Sequence, residues 1–313
     1  MNGYLEAMEN TNQHSLTVES TDAKKRLDAF LSANVTALSR SQWKMLIDQQ
    51  RVLVNGQPCK PNTRLKPGDG VTWSVPDRAP LEAVPEDIPL HILFEDDAVL
   101  VLNKPPGMVV HPAVGNPSGT LLHGLLFHDP VFQALERAGI VHRLDKDTSG
   151  VMVVAKSDKA MQEMQRQFKA RETEKEYVAL VWGEPPGSGR VETLLGRHPV
   201  HRKKQAVLKD HGREAITNFQ CLEQFSECAW LKIGIETGRT HQIRVHMAHL
   251  KHPIVGDTVY GRAHRGRLPA EPERQMLHAA KLSFSHPESG KRLSFEAPLF
   301  EDMESLLEKL RNG

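Results

Sequence analysis

Three cysteines in 313 residues, Cys59, Cys221 and Cys228, are too few and too scattered for a disulfide framework or a zinc site. No run of 18 apolar residues occurs, so no membrane-spanning helix is expected. Met1 to Ser20 is polar and acidic and lacks an apolar signal core, which argues against secretion and for the cytoplasm. Glycine-rich phosphate loops and metal-ligand spacings are missing too, so the chain is expected to work without a cofactor or metal. An excess of one charge is also lacking: 40 Lys+Arg against 39 Asp+Glu leave +1, which alone speaks against a nucleic-acid partner.

The distribution of charge says more than the sum. Residues 21–80 carry ten Lys/Arg against five Asp/Glu, residues 197–213 six against one, and residues 239–267 six against Asp257 alone. The compensating acids sit mainly in the N-terminal tail, a linker and the C-terminal helix. A solvated face explains any one basic cluster, but three of them compensated elsewhere fit a polyanion-binding surface better.

The length suggests two domains. Residues 1–18 read as a disordered tail. Residues 19–76 read as a small unit of two helices and a hairpin sheet. Leu27, Phe30 and Leu31 have helical spacing; Ser39 or Ser41 can cap a second helix with Trp43, Leu46 and Ile47 on one face. Val52-Leu53-Val54-Asn55-Gly56 reads as a strand into a tight turn, and Val71 to Val75 as a further strand. Residues 77–90, with Pro76 just before and prolines at 80, 85 and 89, form a linker that holds no regular element. Residues 91–313 read as a larger unit. Strands are expected around an acidic turn in 91–102, at 150–155, 177–182 and 229–235, with a helix capped by Asp158 and a closing helix at 302–310. The fold class is α+β, with a mixed, mostly antiparallel sheet flanked by helices.

Two segments carry candidate chemistry. His142-Arg143-Leu144-Asp145-Lys146-Asp147-Thr148-Ser149-Gly150 places a carboxylate and an arginine in a loop that enters a very apolar strand. Half-buried charges there need partners, so the segment is either a site or a structural salt-bridge network. Glu236 to His246 is the second. Gly238 permits a turn there, and Arg239 and Arg244 point about 140° apart if both lie on a helix. His241, His246 and His249 have no metal-ligand spacing.

His142-Arg143-Leu144-Asp145-x-x-Thr148-Ser149-Gly150 resembles the signature of the RluA family of pseudouridine synthases. Asn103-Lys104-Pro105-Pro106-Gly107, Lys175-Glu176-Tyr177-Val178-Ala179 and Thr237-Gly238-Arg239-Thr240-His241-Gln242-Ile243-Arg244-Val245-His246 resemble its other motifs, in order, over most of residues 91–300. Upstream, Arg26-Leu27-Asp28, Ser39-Arg40, Lys44, Val54-Asn55-Gly56 and Gly68-Asp69 resemble the S4 RNA-binding domain. The resemblance implies an isomerase that converts uridine to pseudouridine in structured RNA. Gly256-Asp257-x-Val259-Tyr260-Gly261 and Leu277-His278-Ala279 point to a subgroup acting on a stem-loop of large-subunit ribosomal RNA. It further implies that Asp145 is the catalytic carboxylate, paired with Arg239 (Arg244 being the second choice), and that Tyr177 stacks on the flipped base. Arg143 is implied to fill the vacated space. Phosphate contacts are expected from Arg26, Arg40, Lys44, Arg202, Lys203 and Lys204, and from Arg244 if Arg239 takes the carboxylate. Asp147, two residues from Asp145, is expected to be a decoy. Whether the carboxylate attacks ribose C1′, steadies an oxocarbenium-like centre or assists loss of a ribose proton stays open. The expected partner is RNA, either large-subunit ribosomal RNA or a pre-ribosomal particle, with no membrane partner, and the chain is expected to be a monomer. The competing readings are a synthase for transfer RNA or another ribosomal site, a non-catalytic S4 RNA-binding protein, and a glycoside hydrolase, which needs two carboxylates about 5–9 Å apart.

Overall fold

The computed structural model describes residues 13–35, 38, 40–75, 83–113, 115–201, 204–261 and 266–312. The chain divides into two units, Met1–Ala79 and Pro80–Gly313.

The first unit has strand β1 (Gln13–Thr17), helices α1 (Leu27–Asn34) and α2 (Arg40–Asp48), and strands β2 (Val52–Val54), β3 (Gln57–Pro58) and β4 (Gly70–Ser74). The sheet order is β1-β4-β2-β3. The disordered tail expected for 1–18 is corrected over Gln13–Thr17, where β1 pairs antiparallel with β4 along five residues; residues 1–12 lie outside the described residues. Asn55 and Gly56 take φ of 51° and 76°, the left-handed pair that a two-residue hairpin turn demands. Leu27, Phe30, Leu31, Trp43, Ile47 and Val71 close a core in which Trp43 meets Trp73 edge to face at 5.5 Å. Helix α2 begins at Arg40, so Ser41 lies inside it, while Ser39 falls outside the described residues.

The second unit contains β5 (Ile92–Glu95), β6 (Val99–Lys104), α3 (Leu121–His128), β7 (Ser149–Ala155), α4 (Asp158–Ala170), β8 (Glu174–Trp182), β9 (Ser188–Arg197), β10 (Gln205–Leu208), β11 (Arg213–Gln224), β12 (Cys228–Ile235), α5 (Gln242–His249), β13 (Leu277–Ser285), β14 (Arg292–Glu296) and α6 (Glu301–Asn312). Ten strands form one sheet among the described residues, in the order β10-β9-β11-β12-β8-β13-β7-β6-β5, with β14 beside β13. Every pairing is antiparallel except β13 with β7. Strands β6 and β7 are buried at every position, which explains their unbroken apolar runs. Helix α4 packs Met161 and Met164 into this core. Its N-cap is Ser157, whose hydroxyl accepts from the Ala160 amide, and not Asp158. Part of the expected linker also belongs to this unit. The Glu86 carboxylate accepts from the Gly119 amide, and Ile88 lies against Gly124.

Candidate active site

A cleft of about 580 Å³ opens where the loop before β7, the inner end of β8 and the start of α5 converge. Asp145, Tyr177, Arg239, Arg244 and Arg143 all line it.

The loop bearing Asp145 is tied down residue by residue. Leu144 is buried in the core beneath it. The Thr148 amide closes a turn onto the Asp145 carbonyl at 3.1 Å. Lys104, fully buried, donates to the carbonyls of Pro105, Met108 and Lys146 at 2.7, 3.0 and 3.0 Å. Burial pushes its ammonium down to about 7, against the opposing pull of Asp147. Arg274 donates to the Asp147 carbonyl, and Gln275 to the Thr148 hydroxyl. Asp147 is thereby used through its backbone and is absent from the cleft lining. Gly150 lets β7 approach β13: a Cβ there would stand 2.3 Å from the Ala279 carbonyl oxygen. Behind the loop, His142 stacks on Phe168 at 4.6 Å and accepts from the Val153 amide. Burial holds it down to about 3, so it is a neutral acceptor and not an acid–base group.

The expected Asp145–Arg239 pair is not formed; Arg244 takes the carboxylate. Its Nη1 donates to Asp145 Oδ2 at 3.0 Å, while Nε and Nη2 fork onto Asp257 at 2.7 and 3.1 Å. The reason is local geometry. Arg239 lies in the turn ahead of α5, where its amide donates to Gln242 Oε1 and its Nε to the Glu214 carbonyl. Arg244 lies on the buried face of α5 and projects inward. The left-handed residue of this turn is His241, with φ 56°, and not Gly238. Asp257 has a fully buried side chain, and its Oδ1 also accepts from the amides of Val259 and Tyr260. Burial raises the Asp257 carboxyl, but the guanidinium and the two amides outweigh it and leave it below the usual range. Arg244 is conversely held above its usual value against the cost of burial. Asp257, named from sequence only as part of a subgroup motif, is therefore the residue that reading missed as a site member. The signal was present, since it is the sole acid among six cations in 239–267.

The other carboxylate oxygen, Asp145 Oδ1, makes no hydrogen bond among the described residues and has His241 Nε2 at 3.9 Å. His241 Nδ1 meets the Tyr260 hydroxyl at 2.9 Å, and that hydroxyl accepts from the Gln205 amide. Burial holds His241 below its ordinary value, with Asp145 pulling the other way. Tyr177 reaches the cleft from β8. Burial and the Asp145 carboxylate both push its phenol up, so it stays protonated.

The remaining expected residues are placed as follows. Arg143 is exposed at the cleft mouth without a salt-bridge partner among the described residues. Arg26 and Arg40 are not free surface charges, since both donate to the buried Asp28 at 3.0 to 3.1 Å. Lys44 is exposed on α2. Lys204 donates to the Val259 carbonyl at 2.9 Å and is committed to the loop behind Asp257. Arg202 and Lys203 lie outside the described residues. His246 is held between the hydroxyls of Thr193 and Thr217 and is structural.

A tethered carboxylate, a forked guanidinium behind it and an aromatic side chain thus converge on one cleft. The RNA pseudouridylate synthase family matches residues 98–249, and the S4 domain matches residues 25–71. The chain belongs to the RNA pseudouridylate synthase family and is an RNA pseudouridine synthase with an S4 domain in front. It is 44% identical to the ribosomal large subunit pseudouridine synthase D of Neisseria meningitidis, over 98% of this chain and 84% of that protein. Against the protein of that name from Xanthomonas campestris the identity is 45%, over 94% and 91%. Against that of Escherichia coli K12 it is 42%, over 96% and 94%. Among solved structures, human RNA pseudouridylate synthase domain containing 4 superposes with a TM-score of 0.56 at 25% identity, covering 70% of this chain and 92% of the other. Human RNA pseudouridylate synthase domain containing 1 gives 0.54 at 25%, covering 73% and 97%.

Proposed function

We propose that this enzyme converts uridine to pseudouridine in large-subunit ribosomal RNA, in the cytoplasm, with Asp145 as the essential carboxylate. One observation carries the reading: Asp145 is gripped through Oδ2 by Arg244 while Oδ1, at the cleft, takes no hydrogen bond from any described residue. The reaction breaks the bond from ribose C1′ to uracil N1, turns the base and rejoins it through C5. Attack on C1′ and removal of a ribose proton both require a carboxylate oxygen that is not already spent on the protein. Arg244, anchored by Asp257, holds that carboxylate aimed at the cleft. The target base must leave its stack, at about a few kcal/mol, and Arg143 at the mouth, without an ion-pair partner among the described residues, suits the vacated space. Tyr177 offers a ring for the flipped uracil to stack on, with a phenol that can donate a hydrogen bond but does not readily lose its proton. The S4 unit adds affinity through phosphate contacts that weaken with salt. The relatives named for the large ribosomal subunit support the choice of RNA.

The test is to map pseudouridines in the RNA of a strain lacking the gene, complemented with the wild type or with Asp145→Ala. The expected result is loss of sites confined to large-subunit ribosomal RNA, restored by the wild type alone. Loss from transfer RNA instead, or restoration by Asp145→Ala, overturns the reading.

A further inference from the structure

We propose that Arg171, Lys175, Arg213 and Arg239 form one anion site for a single phosphodiester of the RNA strand beside the flipped uridine, an inference that rests on the reading of the cleft given above. All four line the cleft that holds Asp145 and Tyr177. Lys175 and Tyr177 are two residues apart on β8, so their side chains share a face about 7 Å apart. A base stacked on Tyr177 therefore brings its own backbone within reach of Lys175.

The protein itself does not neutralise this cluster. Lys175 is half-buried and has no hydrogen-bond or ion-pair partner among the described residues; its ammonium stands 5.8 Å over the Phe168 ring. Arg213 is exposed at the start of β11, also without such a partner among the described residues. Arg239 spends its Nε on the Glu214 carbonyl, and no described residue takes its two terminal nitrogens. Arg171, at the left-handed cap of α4, pairs with the Glu214 carboxylate. Glu214 itself is not on the cleft lining; the acid that lines this end, Glu236, is held by Arg190 and Asn218. Two carboxylates, Glu214 and the already engaged Glu236, thus stand near four cations. Their mutual cost is visible in their protonation. Burial, then Arg171 and Arg239, hold Lys175 below the ordinary ammonium value; burial, then Arg213 and Arg171, lower Arg239. A bound anion relieves that repulsion, and Arg forks with a lysine are suited to a phosphate.

The experiment measures binding of the full chain to an in vitro transcript of large-subunit ribosomal RNA across a salt series, with thermal melting and tritium release from C5-tritiated uridine in parallel. Lys175→Met is expected to raise Kd about 10-fold near 0.15 M salt and to reduce the slope of log Kd against log salt by about 0.7–0.9. Because it removes an unpaired half-buried charge, it is expected to leave Tm unchanged or higher. Lys175→Arg should restore affinity. Arg213→Ala added to Lys175→Met should cost less than the two separate losses multiplied, since both act on one phosphate. Lys159→Ala, on the exposed side of α4, should change neither affinity nor slope. An unchanged slope with Lys175→Met, a lowered Tm with unchanged affinity, or full multiplication of the two losses overturns the proposal. Tritium release by the wild type separates this from the reading beneath it. A wild type that modifies the RNA alongside a Lys175→Met with unaltered binding sinks the phosphate site alone. A wild type that neither binds nor modifies the transcript sinks both.

Discussion

Replacing Asp257 by asparagine removes one negative charge from behind Arg244 while keeping the shape of the side chain. In the wild type the fork from Arg244 to Asp257 spans 2.7 and 3.1 Å, and the Asp257 side chain is fully buried. Breaking one partner of such a buried pair costs about 3–5 kcal/mol. The variant keeps an oxygen for the Val259 and Tyr260 amides, so about 3 kcal/mol is the expected loss. At about 2–4 °C per kcal/mol for a unit of this size, Tm should fall by about 6–12 °C. Arg244 then has only Asp145 as counter-charge and loses the anchor that aims it. A displacement of about 1 Å in a reacting group costs about 100-fold in rate, and that is the fall expected in kcat for tritium release, assayed well below the variant's Tm. The pH dependence has a definite sign. The folded Asp257 carboxyl sits below its unfolded value of about 4, so its contribution is full above that value and is lost as pH falls through the lower folded one. The gap in Tm between wild type and variant should therefore narrow on acidification below pH 4. Wild-type kcat and Tm in Asp257→Asn would refute the anchoring argument.

Other outcomes follow from the same geometry. Gly150→Ala forces a Cβ to within 2.3 Å of the Ala279 carbonyl at φ 119°; strain and overpacking together should cost roughly 3–5 kcal/mol, and a melting curve within 2–3 °C of wild type would contradict this. His246 and His278 are buried and held down to about 4. Their neutral forms stabilise the fold fully above pH of about 6.5, and that share, up to roughly 3 kcal/mol each, is lost as pH falls toward 4; a Tm that stays flat from pH 6.5 to 4 would exclude it. The phenol of Tyr177 is held protonated by burial and Asp145, so kcat should show no basic limb assignable to it between pH 8 and 10. Finding one that disappears in Tyr177→Phe would count against the assignment.

Much of the fold was legible because its periods are clean. The unbroken apolar runs of β6 and β7 and the Asn55-Gly56 turn declare themselves. Strands β9 and β11 did not, because they carry exposed charged residues such as Arg190, Glu192, Arg213 and Glu214 and alternate only in part. Strand β1 was hidden because a polar edge strand is defined by its partner β4 and not by its own pattern. At the site, the loop around Asp145 stood out by charge next to apolar strand. The choice between Arg239 and Arg244 did not, since it depends on where α5 begins: five residues separate them, and only the one inside the helix is turned toward Asp145. Asp257 was illegible as a partner for the same reason, being 13 residues from Arg244 along the chain and in contact only through the fold. Lys104 shows the converse. Its motif was evident, but the sequence carries no hint that it works by binding the backbone of the loop it faces.

The most direct test of the central claim is tritium release from C5-tritiated large-subunit ribosomal RNA by purified Asp145→Ala, with RNA affinity measured on the same preparation. No detectable release is expected, with Kd within about threefold of wild type, because Asp145 does chemistry and Arg244 stays anchored by Asp257. Release at the wild-type rate would contradict it.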